Sequence, residues 1–381
     1  MTRILLGMLA SNGDCLYATA IARQIKTDFP GCHLTWAIGS LSRQVLTNNP
    51  DIDEIWELPQ RSWADMEFDW TLFEIEARQL ADAGRFDHVF LTQISPARFA
   101  NYDGTIRPSM FRNFGRPITV PVDSTINLSE EEKAEVDRWF QASPASSASQ
   151  VVLCECSSKS GQSFMTVDLA WQMAARITAA DSKAVVIIST HEPLATENPR
   201  IISGGTLSIR QIARLTHYVQ LFVGCGSGLT VAATCGVAKP GLPNIQILKR
   251  STSVYASFRH DFEHFGKPTG QFLELTTEDP DHLAKVAGAS LQDFAAARAE
   301  FDDPVPLTFG WYRQLISLML LERGKYVDAV HSVLVTAARY GWHPELRRFA
   351  RHFILPFIEA DLRSALPHRR EEIERLREGI G

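Results

Sequence analysis

Three clusters in the chain combine residue types and spacing fit for binding or catalysis. The first is Ser11-Asn12-Gly13-Asp14, a polar loop between the apolar run Arg3-Ile4-Leu5-Leu6-Gly7-Met8-Leu9 and a stretch with Leu16, Ala20, Ile21 and Ile25 at helical spacing. A carboxylate there either caps the helix or takes a proton from a substrate hydroxyl. The positive end of the helix dipole favours its ionised form. The second cluster is Ser157-Ser158-Lys159-Ser160-Gly161-Gln162-Ser163. It offers hydroxyls, backbone N–H groups and one lysine, the donors a diphosphate needs, and it reads equally as a polar turn. It lacks the spacing of a Walker loop. The third is Gly224-Cys225-Gly226-Ser227-Gly228-Leu229-Thr230. Gly226, Ser227, Gly228 and Thr230 could receive a phosphate at a helix start, or the glycines could serve only a tight turn. His191-Glu192, after a strand in the same half, suit a nucleoside base and ribose, or a surface loop. His260 and His264 are four residues apart but lack the His-Glu-x-x-His order, so no metal site is expected there.

Each cluster follows a strand pattern and precedes a helical one. Residues 33–38, 54–58 and 88–92 read as further strands, with helical patterns over 42–49 and 73–83 and a last apolar run over 118–122. Ser129 with Glu132 three residues on predicts a capped helix over 129–141. The small, polar stretch 142–150 reads as a linker, and the alternation then restarts with strands at 151–155, 184–188, 221–224 and 244–248. Strands alternating with helices imply parallel sheets, whose ligands bind at the carboxyl ends of the strands. The expectation is an α/β chain of two Rossmann-like domains facing a cleft, residues 1–141 and 151–278. Residues 279–381 read as a C-terminal α-helical appendage, in which 321–329 has the flavour of a tetratricopeptide hairpin; one hairpin makes no array.

The chain has 381 residues, enough for two domains, and a formal charge of −6, which argues against general nucleic-acid binding. Six scattered cysteines show no zinc spacing and read as reduced core thiols. The N-terminal apolar run is interrupted by polar residues and reads as no signal peptide, and no stretch reaches membrane-spanning length. A cytoplasmic location is the expectation.

The segment from Ile4 through Ser11-Asn12-Gly13-Asp14, Thr19-Ala20-Ile21 and Leu34-Thr35-Trp36 to Asn49-Pro50-Asp51-Ile52-Asp53-Glu54-Ile55 resembles the start of the bacterial heptosyltransferases, glycosyltransferase family 9. Leu207-Ser208-Ile209-Arg210-Gln211-Ile212-Ala213, Leu221-Phe222-Val223-Gly224 and Ser227-Gly228 resemble that family's donor-side segment. The resemblance covers residues 1–58 and 150–250, is weaker between them, and leaves out the helical tail. It implies a GT-B architecture, an acceptor held mainly by the first domain and a nucleotide sugar by the second. It also implies inverting transfer without a metal or cofactor. Asp14 matches the family's catalytic Asp in Ser-x-Gly-Asp, Ser11, Asn12 and Gly13 fall in the acceptor loop, and Lys159 falls near the donor-phosphate lysine. The chain departs from the pattern at the second glycine turn. Gly226 stands where the family has Asp, and Val231 or Ala232 where it has His, which puts the donor's identity and turnover itself in question.

Three functions follow as alternatives. One is an inverting glycosyltransferase whose partners are a nucleotide sugar and a hydroxyl acceptor: a glycan, a lipid-linked saccharide or a protein. A lipid-linked acceptor would bring the chain to a membrane surface, and the oligomeric state is left open. The second is an inactive GT-B protein that binds a sugar nucleotide or glycan, which the changes at Gly226 and Val231 favour and Asp14 opposes. A dinucleotide oxidoreductase is the weakest, since the first loop lacks G-x-G-x-x-G.

Overall fold

The computed structural model describes residues 1–62, 64–156, 161–190, 194, 197–360 and 367–381. Ser157, Ser158, Lys159, Ser160, His191 and Glu192 lie outside the described residues. Every strand ladder is parallel. In the first domain β1 (Arg3–Gly7), α1 (Asn12–Asp28), β2 (His33–Gly39), β3 (Glu54–Leu58), α2 (Met66–Asp82), β4 (His88–Leu91) and α3 (Arg107–Phe114) form a sheet of order β3-β2-β1-β4. Along β1, Ile4 and Leu6 enter the core under α1 and α3, while Leu5 enters the one under α2 with Trp70 and Phe73. Burial on both faces is why β1 reads as a continuous apolar run. The apolar run at 118–122 adds no strand. Its Thr119 and Val120 N–H groups donate to the buried Gln24 side chain of α1, at 2.7 and 3.1 Å, in place of a ladder.

Helix α4 (Glu130–Ala142) starts with the expected capping box between Ser129 and Glu132. It buries Val136 and Phe140 in the core of the second sheet. Residues 144–147 form a tight 3-10 turn with Ala145 buried. Beyond it come β5 (Gln150–Glu155), α5 (Val167–Ala180), β6 (Ala184–Ser189), β7 (Ile201–Ser203), α6 (Ile209–Leu215), β8 (Leu221–Gly224), α7 (Gly228–Ala233), β9 (Asn244–Ile247), α8 (Phe258–His264) and β10 (Phe272–Leu275). The sheet order is β10-β9-β8-β5-β6-β7. Helices α9 (Pro280–Gln292) and α10 (Phe294–Phe301) pack Leu283, Val286, Ala287 and Ala297 into this domain's core rather than into the appendage.

The appendage itself comprises α11 (Gly310–Ile316), α12 (Tyr326–Tyr340), α13 (Pro344–Phe349), α14 (Leu355–Ala360) and α15 (Pro367–Ile380). Its core joins Phe309, Tyr312, Val333 and Phe349 to Ile94, Phe99 and Tyr102, so it is built onto the first domain. All six cysteines are buried, as expected of core thiols.

Candidate active site

In each sheet the chain reverses its direction of strand addition once: between β1 and β4 in the first, and between β5 and β8 in the second. Open α/β sheets bind ligands at such switch points, beyond the strand ends. Here the two switch points meet. A Cβ placed on Gly228 would lie 3.0 Å from the Gly13 backbone nitrogen, so the start of α7 rests directly on the start of α1. Above this contact lies a cavity of about 250 Å³ that takes residues from both domains and the appendage.

Asp14 lines this cavity with Ser11 and Gly13. Ser11, not Asp14, is the N-cap of α1, and its side chain caps nothing. Asn12 is not among the lining residues, and its Oδ1 is buried and unpartnered. Burial pushes the Asp14 carboxyl up to about 7, against the pull of the Ser11 backbone N–H. The helix dipole alone was expected to favour the ionised form; desolvation outweighs it. Tyr17, one turn along α1, stacks under the Arg107 guanidinium at 4.6 Å. Its hydroxyl stays protonated, because burial and then Asp261 raise it well above its ordinary range.

The second glycine turn reaches the cavity through Gly226, Ser227, Gly228 and Val231. Gly226 has φ +70°, and a Cβ there would stand 3.2 Å from the Ala256 carbonyl oxygen. The local backbone therefore strains any side chain at this position, where the resembling family has Asp, on two counts, conformation and space. Glu155, fully buried at the end of β5, organises the turn: it accepts from the Cys225 N–H (2.9 Å), the Thr230 hydroxyl (2.6 Å) and the Ser227 hydroxyl. Thr230 is fully buried behind the turn and does not line the cavity, and both hydroxyls expected to meet a phosphate meet Glu155 instead. Gly161, with φ +78°, begins the described chain after the lysine loop and lies outside the cavity lining.

Several further lining residues carry no ligand assignment from the sequence. Gln162 donates to the Gly226 carbonyl oxygen at 2.6 Å and so is tied to the glycine turn. Arg107, buried at the start of α3, pairs with Asp261 of α8 across the domains and donates to the Val122 carbonyl at 2.9 Å. His260 Nε2 accepts from Arg339 (3.1 Å) and lies 2.9 Å from the Tyr340 hydroxyl. Burial and then Arg339 lower it to about 4, so it is neutral at pH 7. Gly104 and Tyr255 complete the wall with Trp311 of α11. Arg107 carries only a faint sequence signal, a charged residue beside the helix-starting Pro108.

No family model matches the sequence, and no curated protein matches it. Solved structures do. The glycosyltransferase family 9 structure from Veillonella parvula DSM 2008 covers 84% of this chain and 97% of its own, at 13% identity and a TM-score of 0.51. The ADP-heptose LPS heptosyltransferase II structure from E. coli covers 79% of this chain and 99% of its own, at 15% identity and a TM-score of 0.48. The first of these likenesses bears on the architecture, and with the two parallel sheets meeting at their switch points it makes the fold GT-B, the fold of the family 9 glycosyltransferases.

Proposed function

We propose that this chain is an inverting glycosyltransferase that moves a hexosyl or heptosyl group from a nucleotide-diphosphate donor to a hydroxyl acceptor. Asp14 carries the reading: a carboxyl at the floor of an interdomain cavity, pushed up to about 7, is poised for general-base work near neutral pH. In the proposed reaction Asp14 takes the proton of the acceptor hydroxyl. The freed oxygen bonds to the anomeric carbon while the bond to the leaving diphosphate breaks on the opposite face. No metal ion or cofactor takes part in the reaction as proposed. Lys159, Ser157, Ser158, Ser160 and Gly161, with the backbone of the Gly226-Ser227-Gly228 turn, are assigned to the diphosphate, and His191 and Glu192 to the nucleoside. The acceptor is assigned to the cell envelope of a bacterium and the reaction to its cytoplasm.

A thermal-shift screen of nucleotide sugars tests the donor, since a ligand at one hundred times its dissociation constant stabilises the native state by about 2.7 kcal/mol. One nucleotide family is expected to raise the melting temperature, and Asp14→Asn to keep that shift while losing transfer or donor hydrolysis by about 10²–10⁴-fold. In the active protein the rate is expected to rise as pH passes through about 7, where Asp14 loses its proton. Undiminished turnover in Asp14→Asn would overturn the assignment.

One observation favours a second reading, an inactive protein that binds a sugar nucleotide or glycan. Ser227 and Thr230 are engaged by Glu155, and Arg107, the one guanidinium lining the cavity among the described residues, is engaged by Asp261. A melting shift with no hydrolysis or transfer in the unaltered protein would decide for it.

A further inference from the structure

One wall of the cavity comes from outside both α/β domains. Trp311 and Leu315, four residues apart on α11, share a helix face and line the cavity, while Tyr312 between them is buried in the appendage core. Trp311 is half-buried and shares the cavity wall with Tyr102, whose hydroxyl donates to the Gly104 carbonyl oxygen at 2.9 Å. Gly104 has φ +95°, and a Cβ there would overlap the Tyr255 ring, so glycine is what allows Tyr255 to close over this segment. The Tyr255 hydroxyl oxygen and Gln162 Oε1 are both buried, both in cavity-lining residues and both without a hydrogen-bond partner. Buried polar groups are seldom left so, and a ligand that meets them recovers the interaction.

Aromatic faces with a few unmet polar atoms beside them suit a molecule with an apolar face and a hydroxyl rim, which describes a pyranose ring. Charge argues against an anionic group on this side. Among the described residues, and apart from His260, the charged lining residues are Asp14, Asp261 and an Arg107 already paired with Asp261. We propose that Trp311 and Tyr255 form an acceptor subsite for a neutral saccharide, Trp311 stacking on the apolar face of the ring and Tyr255 hydrogen-bonding a ring hydroxyl. The appendage then selects the acceptor together with the first domain. The proposal rests on the glycosyl-transfer reading for the ligand's role, but saccharide binding is measurable without turnover.

The test is ligand-observed NMR with neutral methyl pyranosides of gluco, galacto and manno configuration, each beside its 6-phosphate, on the full chain, Trp311→Ala, Trp311→Phe and Tyr255→Phe. A neutral glycoside is expected to bind the unaltered protein and its phosphate to bind more weakly. Trp311→Ala is expected to weaken binding about tenfold, Trp311→Phe by less, and Tyr255→Phe by about two- to tenfold, the loss of one hydrogen bond. The nucleotide-sugar melting shift is expected to be unchanged in all three variants. Absence of binding by every neutral glycoside, or equal binding by the unaltered protein, Trp311→Phe and Tyr255→Phe, would overturn the subsite. Saccharide binding without a nucleotide-sugar shift would leave the subsite standing and remove the transferase reading instead.

Discussion

At Asp14 two effects of opposite sign act on one carboxyl. A helix N-terminus stabilises an anion by roughly 0.3–1 kcal/mol at ordinary surface exposure, whereas removing a carboxylate from water costs several times that. The geometry decides between them, because Asp14 faces a cavity roofed by the second domain. The native carboxyl keeps its proton to higher pH than the ordinary 3.8 of the unfolded chain. Its contribution to stability is therefore full below about pH 4 and is lost as pH rises to about 7. Asp14→Asn is expected to leave stability at pH 4 nearly unchanged and to raise it at pH 8 by about 2–4 kcal/mol, read from urea unfolding at both pH values. The identity of Asp14 was legible in its loop between strand and helix. Its protonation was not, because the residues that bury it lie far away in sequence. Glu155 was hidden for a related reason: as the last residue of an apolar strand it looks like a surface terminus, and only the returning turn at Gly224–Gly228 shows what it holds.

Among the elements, those with a strong local signal came through the sequence. The strands β1, β5 and β8, the Ser129–Glu132 capping box and helix α12 all lie where periodicity and caps place them. The misreadings fall where tertiary contacts override local pattern. Residues 118–122 have the composition of a strand but find the Gln24 amide instead of a neighbouring strand. Short strand β7 and strand β10 lacked a periodic run long enough to be read. Helices α9 and α10 look like the appendage that follows them, yet an apolar stripe on each covers the second sheet. Between β5 and α7 the bond from Thr230 to Glu155 fastens a helix to a strand end. Thr230→Val, close in shape but without the hydroxyl, is expected to cost about 1–3 kcal/mol in urea unfolding, the cost of leaving one carboxylate oxygen short of a donor in the interior.

For the whole molecule the appendage is a third body, and one of its residues bridges the two others. Arg339 of α12 donates to the fully buried Asp103 of the first domain at 2.8 Å and to His260 of the second at 3.1 Å. Burial would raise the Asp103 carboxyl, but Arg112 and Arg339 together hold it below its usual range. Arg339→Ala is expected to destabilise the protein by about 1–3 kcal/mol, since Arg112 still pairs with Asp103, and to enlarge the radius of gyration in small-angle scattering. His260 makes the same junction sensitive to acid. It is surrounded by Arg339, Tyr340, Asp103, Asp261 and His264. Its stabilisation is present above about pH 6.5 and lost as pH falls toward about 4. His260→Gln is expected to flatten this acid-side decline in melting temperature.

The contact of Gly13 with Gly228 carries a consequence for heredity. Two positions far apart in the chain, in different domains, touch through backbone alone. A methyl group at either presses on main-chain atoms of the other and cannot be absorbed by a side-chain rotation. The two codons are therefore one mutational unit. Alanine at either position should spoil the domain contact by itself, and alanine at the second should then add little, so that losses measured singly and together are far from additive.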